Sequence, residues 1–151
     1  MRTLTALSLL CILVGCATNQ TYRVAVTNDT QEPITIGLVK EGDPYQDQWA
    51  SPELAATQNR APDSRMWAAI PPGKTADTGP VKGRFRGDAQ AILRVYEGDL
   101  NLSGILAINR DQPNRMDIPL HPGMNHITVT EQGVRLHAMR DTPSGEVAVD
   151  Q

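Results

Sequence analysis

Tyr22-Arg23-Val24-Ala25-Val26-Thr27, then Asn28-Asp29-Thr30-Gln31-Glu32, then Ile34-Thr35-Ile36-Gly37-Leu38, is the stretch that sets the class of fold. Tyr22, Val24 and Val26 alternate with Arg23, Ala25 and Thr27, the period of a strand with one buried face. The segment between the two runs is turn chemistry, because Asn and Asp bond their own backbone and tolerate left-handed dihedrals. Ile34, Ile36 and Leu38 repeat the alternation up to Lys40. The two runs are expected to pair as a hairpin.

The same rhythm continues outward. Eleven prolines and twelve glycines break the chain at short intervals, and the runs between them alternate. Short strands at regular spacing indicate an all-β sandwich or barrel. Met66 to Ile70 reads as a strand ended by Pro71-Pro72-Gly73, with Trp67 in the core. Ala91, Leu93 and Val95 alternate with Ile92, Arg94 and Tyr96 up to the turn Glu97-Gly98-Asp99. Gly104 to Ile108 is apolar on both faces, as a central strand would be. Met116, Ile118 and Leu120 form a further strand, placed at an edge by Pro119, which has no N–H for a ladder. Ile127 and Val129 belong to one strand, Val134 and Leu136 to the next, with the bend at Gln132-Gly133. The expected architecture is one antiparallel β-sandwich, immunoglobulin-like or transthyretin-like, of about seven or eight strands over residues 22–139. Residues 41–65 form a long loop, in which Ser51 as N-cap and Pro52 at the first helical position open a short helix. Residues 140–151 are polar and contain Pro143 and Gly145, so they read as a flexible tail.

Ahead of the sandwich lies a leader. Met1-Arg2 is a minimal basic start, and an apolar run from Leu4 to Val14 follows. The run is too short to span a bilayer. It ends in Leu13-Val14-Gly15-Cys16, which resembles the lipobox of bacterial lipoproteins; the resemblance covers residues 1–17 only. It implies export, removal of residues 1–15 and lipidation of Cys16. It also implies three acyl chains, and several chains hold far more firmly than one. Ala17 stands where an Asp would resemble an inner-membrane retention signal, so the expected location is the outer membrane, facing the periplasm. The chain's two cysteines are Cys11 and Cys16. Cys11 leaves with the leader and Cys16 is the lipidated one, so the domain keeps no thiol. Six residue steps from Cys16 to Tyr22 make a tether (residues 16–21) of at most about 20 Å. Partners are therefore expected close to the leaflet: the membrane itself, and a membrane-proximal envelope protein. The outer-membrane lipoprotein of type VI secretion is similar in plan, with a lipobox, a short tether and a β-sandwich, although that family's residue motifs are absent here.

Composition narrows the function. Removing residues 1–15 from 151 leaves 136, which suits one domain with its own core. The loss of Arg2 takes the formal charge from −3 to −4, unlike the basic face of a nucleic-acid binder. No GxSxG elbow, P-loop or dinucleotide fingerprint occurs, so the expectation is a non-catalytic binding domain without a cofactor.

Three features remain as sites. Tyr45 and Trp49, beside Asp43 and Asp47, have the composition of a sugar-stacking loop, which makes a glycan-binding module the alternative function; such aromatics also commonly close the end of a sandwich. No DxDxDG-type calcium loop accompanies the carboxylates. Lys82, Arg84 and Arg86 share one face of an extended Lys82-Gly83-Arg84-Phe85-Arg86, with Phe85 on the other. They read either as charges that protect a sheet edge or as a contact for anionic lipid headgroups or phosphorylated glycans. His126 and His137 are expected as diagonal neighbours across a hairpin, with Thr128 opposite His137, and no ligand spacing points to a metal.

Overall fold

The computed structural model describes residues 16–58, 66–107 and 115–138. The leader over 1–15 and the tail over 140–151 lie outside the described residues. The chain is an all-β sandwich of two sheets, with nine strands and two short helices among the described residues. In chain order these are β1 (Thr18–Asp29), β2 (Ile34–Glu41), α1 (Pro52–Thr57), β3 (Trp67–Ile70), β4 (Thr75–Asp77), β5 (Val81–Phe85), β6 (Gln90–Glu97), α2 (Leu102–Ala107), β7 (Arg115–Pro119), β8 (Gly123–Thr130) and β9 (Gly133–Ala138).

The first sheet runs β4-β1-β8-β9. β5 shares the outer edge of β1 with β4: β4 pairs with Ala25 to Thr27, and β5 pairs with Thr18 to Tyr22. The second sheet runs β3-β2-β6-β7 and is antiparallel throughout. β1 and β8 run parallel, so the first sheet is mixed where an antiparallel one was expected. The two strands are far apart in the chain and are not joined by a tight turn, so nothing forces them antiparallel.

Strand alternation builds the core as expected. Val24 and Val26 from β1, Ile36 and Leu38 from β2, and Leu93 and Val95 from β6 meet between the sheets. β1 and β2, however, are not a hairpin. They lie in opposite sheets, and residues 30–33 carry the chain across. Asn28 holds this corner from a fully buried position. Its amide donates to the carbonyls of Glu32 (2.8 Å) and Ile70 (2.9 Å), and its carbonyl accepts the N–H and hydroxyl of Thr30.

The second sheet is buried on both faces. Val39, Ile92 and Tyr96 point away from the main core, yet they are buried with Ala55 of α1 and Ile105 of α2. Trp67 packs on this outer layer, 6.1 Å from the Tyr96 ring, rather than in the main core. Gly37 admits the helix: a Cβ there would lie 3.3 Å from Pro52 Cγ. α1 starts as read, with Ser51 Oγ accepting the Leu54 N–H. α2 replaces the strand expected from Gly104 onward. Asn101 caps it, its side chain accepting the Gly104 N–H at 2.9 Å, and Ile105 anchors it.

Candidate interaction surface

β1 begins at Thr18 rather than at Tyr22, so residues 18–21 of the expected tether are strand, paired along β5. Cys16 is exposed two residues ahead of the strand. This end of the sandwich is closed by aromatics. A single 3₁₀ turn over Asp47–Trp49 lowers Trp49 into the core, where it is 1% exposed. Its ring meets Tyr22 at 5.7 Å and Phe85 at 5.6 Å between centroids, both near edge-to-face, and Tyr22 lies 5.1 Å from Phe85. Such pairs add about 0.5–1.5 kcal/mol beyond the area they bury. The indole N–H donates to the Lys82 carbonyl at 3.0 Å. Lys40 Nζ lies 5.0 Å above the Phe85 ring and donates to the carbonyls of Pro44 and Arg84.

The two aromatics grouped by sequence are thus separated. Tyr45 is 54% exposed, whereas Trp49 is sealed in the core. A sugar platform needs both ring faces open, so the pair does not form one. The carbonyls of Asp43 and Asp47 are used within the fold, by the Arg86 and Ala50 N–H groups. Of the loop's two aromatics Tyr45 is the exposed one.

No helix among the described residues covers the outer face of the first sheet. Lys82 and Arg84 stand exposed on β5, and Phe85 points inward as read. Arg86, just past the strand, is also exposed. Arg84 sits opposite Asn19 and Lys82 opposite Thr21. β5 is a sheet edge, as the protective reading of these charges requires. Further along, Arg23 clasps Asp77 at 2.7 Å, and the Arg23 guanidinium and the Gly79 N–H hold the Asp77 carboxyl below its ordinary range. His126 lies directly opposite His137, and Thr128 opposite Arg135. The register thus differs by two residues from the expected one. The turn consists of Glu131 and Gln132 between paired Thr130 and Gly133, not of Gln132 and Gly133. Among the described residues no group of three or more His, Cys, Asp or Glu could hold a metal ion.

The outer face of the second sheet carries an ionic cluster that sequence reasoning missed. Arg94, 9% exposed, lies 3.1 Å from Glu41, 3.1 Å from Glu53 and 3.3 Å from Asp117. Arg115 binds Asp117 at 2.5 Å and approaches Glu53 at 3.7 Å. The Tyr96 hydroxyl donates to Glu53 at 2.9 Å. Arg94 Nε makes no well-aligned hydrogen bond despite its closeness to Asp117. Burial pushes the Glu53 carboxyl up. Its own backbone N–H, the Tyr96 hydroxyl, Arg94 and Ser51 together outweigh this and hold it below its ordinary range. Burial, followed by the neighbouring Glu53 charge, drives the Tyr96 phenol up. Every carboxylate of the cluster has a guanidinium beside it, so the arrangement clamps α1 to β6 and β7 and offers no free general base. The one sequence signal was Arg94 itself, a charge in the outward row between Ile92 and Tyr96.

At the far end of the sandwich a cavity of about 370 Å³ opens between the sheets. Ile34, Val95 and Val129 form its floor, and Glu32, Glu97 and Glu131 its rim. No helix among the described residues is long and apolar enough to cross a membrane.

No known protein family matches the chain, and no curated protein does. Among solved structures the chain is similar to Lip of Serratia marcescens, a membrane-bound component of the type VI secretion system. The two are 18% identical, the match covers 82% of this chain and 100% of that one, and the TM-score is 0.40.

Proposed function

We propose that the protein is an envelope lipoprotein held on the outer membrane, facing the periplasm, by acyl chains on Cys16. Its β-sandwich is a non-catalytic interaction domain, serving as an accessory subunit of an envelope assembly. The observation that carries this reading is Leu13-Val14-Gly15-Cys16 followed almost at once by folded chain. Cys16 is exposed and only two residues ahead of β1. At about 3.5 Å per residue the free tether is about 7 Å, much shorter than the sequence suggested. The anchor end, with Tyr45 and residues 42–46, then stays at the leaflet. A twelve-residue β1 carries the β8–β9 turn about 35–40 Å away. The partner is a membrane-proximal protein that meets the Tyr45 loop, since binding residues concentrate on loops held by a rigid scaffold.

Two measurements test this. Radiolabelled palmitate should label the full chain, and Cys16→Ser should abolish both the label and recovery in the membrane fraction; a membrane-bound, unlabelled protein would end the lipoprotein reading. A photocrosslinker at position 45 should capture an envelope protein that one at position 132 does not. Equal capture at both sites would remove the loop as the contact surface.

A further inference from the structure

We infer that the anchor half of the first sheet's outer face rests on anionic lipid, with Lys82, Arg84 and Arg86 against the headgroup phosphates, so that the domain lies on the membrane in one orientation. This rests on the reading of Cys16 as the lipidated residue.

Two independent observations lead here. The first is register. Thr18, two residues after Cys16, pairs with Phe85, Asn19 with Arg84, and Thr21 with Lys82. The basic strand is therefore bonded to the first residues that leave the membrane, and a free tether of about 7 Å cannot carry it far from the surface. The second is the distribution of charge. Outward positions alternate with core positions on every strand. Over the anchor half, the outward residues of β1 and β5 are Asn19, Thr21, Lys82 and Arg84, with Arg86 just beyond, and no carboxylate is among them. Farther along the face the outward carboxylates are Asp77, bound by Arg23, and Asp29 at the distant end of β1. On the outer face of the second sheet the cations are instead spent on carboxylates, with Arg94 and Arg115 paired to Glu41, Glu53 and Asp117. In a chain of net charge −3, cations gathered beside the attachment point complement an anionic leaflet.

Each basic residue close to an anionic surface favours association about fivefold. Asp43, Asp47 and Asp88, on the adjoining loops, oppose this, so the net preference of the patch is at most about a hundredfold. The lipidated full-length protein, with Thr21→Cys carrying an environment-sensitive fluorophore, is placed on vesicles of phosphatidylcholine alone or with 30% phosphatidylglycerol, both containing a headgroup quencher. Quenching at position 21 should appear on the phosphatidylglycerol vesicles, fall in 0.5 M salt and vanish in K82Q/R84Q/R86Q. A label at position 132 should stay unquenched throughout. Equal quenching on both vesicle types, or none on either, overturns the proposal. So does binding of soluble heparin without quenching on phosphatidylglycerol, which would assign the patch to an anionic polymer. Mass spectrometry of the N-terminus reports acylation separately. If no acyl mass is found, the anchor reading fails. The patch is then judged by flotation of the unacylated chain: flotation that depends on phosphatidylglycerol and is lost in the triple variant upholds it, and the absence of flotation overturns it.

Discussion

Gly83→Ala is the sharpest probe of the aromatic end of the sandwich. Gly83 faces inward on β5, opposite Gln20. A Cβ built there would lie 2.5 Å from Phe85 Cε2, 3.0 Å from Phe85 Cζ and 2.8 Å from Trp49 Nε1. Non-bonded carbons rest at about 3.5–4.0 Å, so the Phe85 ring must retreat by about 1 Å. It has little room to do so. Phe85 is held between Tyr22 and Trp49, and Trp49 is fastened through its N–H to the Lys82 carbonyl next door. Forcing extra volume into a packed core costs about 1–3 kcal/mol, and loosening the indole hydrogen bond adds about 1 kcal/mol. Restricting the unfolded chain by replacing glycine returns about 0.4–1 kcal/mol. The net expectation is destabilisation of about 1–3 kcal/mol. Urea unfolding followed by tryptophan fluorescence measures it directly, since Trp49 and Trp67 are the chain's two tryptophans. The unfolding midpoint should fall, with a red shift in folded-state emission as Trp49 loosens. Adding Phe85→Leu should cost less in the Gly83→Ala background than alone, because the clash has then been removed; the double-mutant cycle reads this coupling. A midpoint at or above that of the parent, or strict additivity in the cycle, would refute the packing argument.

Other consequences are simpler to state. Arg94→Met leaves Glu41, Glu53 and Asp117 facing one another. Breaking a buried pair costs about 3–5 kcal/mol, but these carboxylates are 29–52% exposed, so about 1–3 kcal/mol is expected after solvent screening. Arg94→Lys should recover only part of it, because one ammonium cannot reach three carboxylates; full recovery in a thermal melt would show that geometry is irrelevant. Glu53 has a lowered pKa in the fold, so the unfolded chain takes up its proton first as the pH falls. Its stabilisation is complete above the unfolded carboxyl value, near 4.5, and disappears as the pH drops through the lower folded value. Unfolding midpoints between pH 7 and pH 3 should fall less steeply for Glu53→Gln, and an unchanged slope would count against the cluster as an acid-sensitive clamp. Asn28→Ala takes its partner from the buried carbonyl of Ile70, while the Glu32 carbonyl keeps the Thr30 hydroxyl, so the expected cost is about 1–3 kcal/mol for one unsatisfied group. A loss below about 0.5 kcal/mol in chemical denaturation would show that the sheet-to-sheet corner does not depend on it.

The misreadings share a cause. Alternation in β1 and β2 told correctly which side chains turn inward, but an inward face looks the same in either sheet of a sandwich. The hairpin expectation failed because only packing distinguishes the two. The apolar run from Gly104 was ambiguous between central strand and buried helix. The helix won because the second sheet's outer face needed cover, and the deciding local signal was the Asn101 cap. The His126 register moved by two residues because the turn uses Glu131 and Gln132, with Gly133 taking a positive φ as the first paired residue of β9. Trp49 and Tyr45 look alike as loop aromatics until the 3₁₀ turn directs one inward.

The chain's own residues determine the all-β class, the inward set Val24, Val26, Ile36, Leu38, Leu93 and Val95, and the Ser51 cap. These depend on period, dihedral preference or short motif, all of which are local. Tertiary structure alone decided that β1 and β2 part company, that α1 and α2 form a third layer with α1 held by Arg94, and that Trp49 seals one end. It also decided that β5 lies along Thr18 to Tyr22. Each of these joins residues far apart in the chain. Strand pairing and ion pairing at such separations are chosen by which surfaces remain to be covered once the core has formed, and no local pattern carries that information.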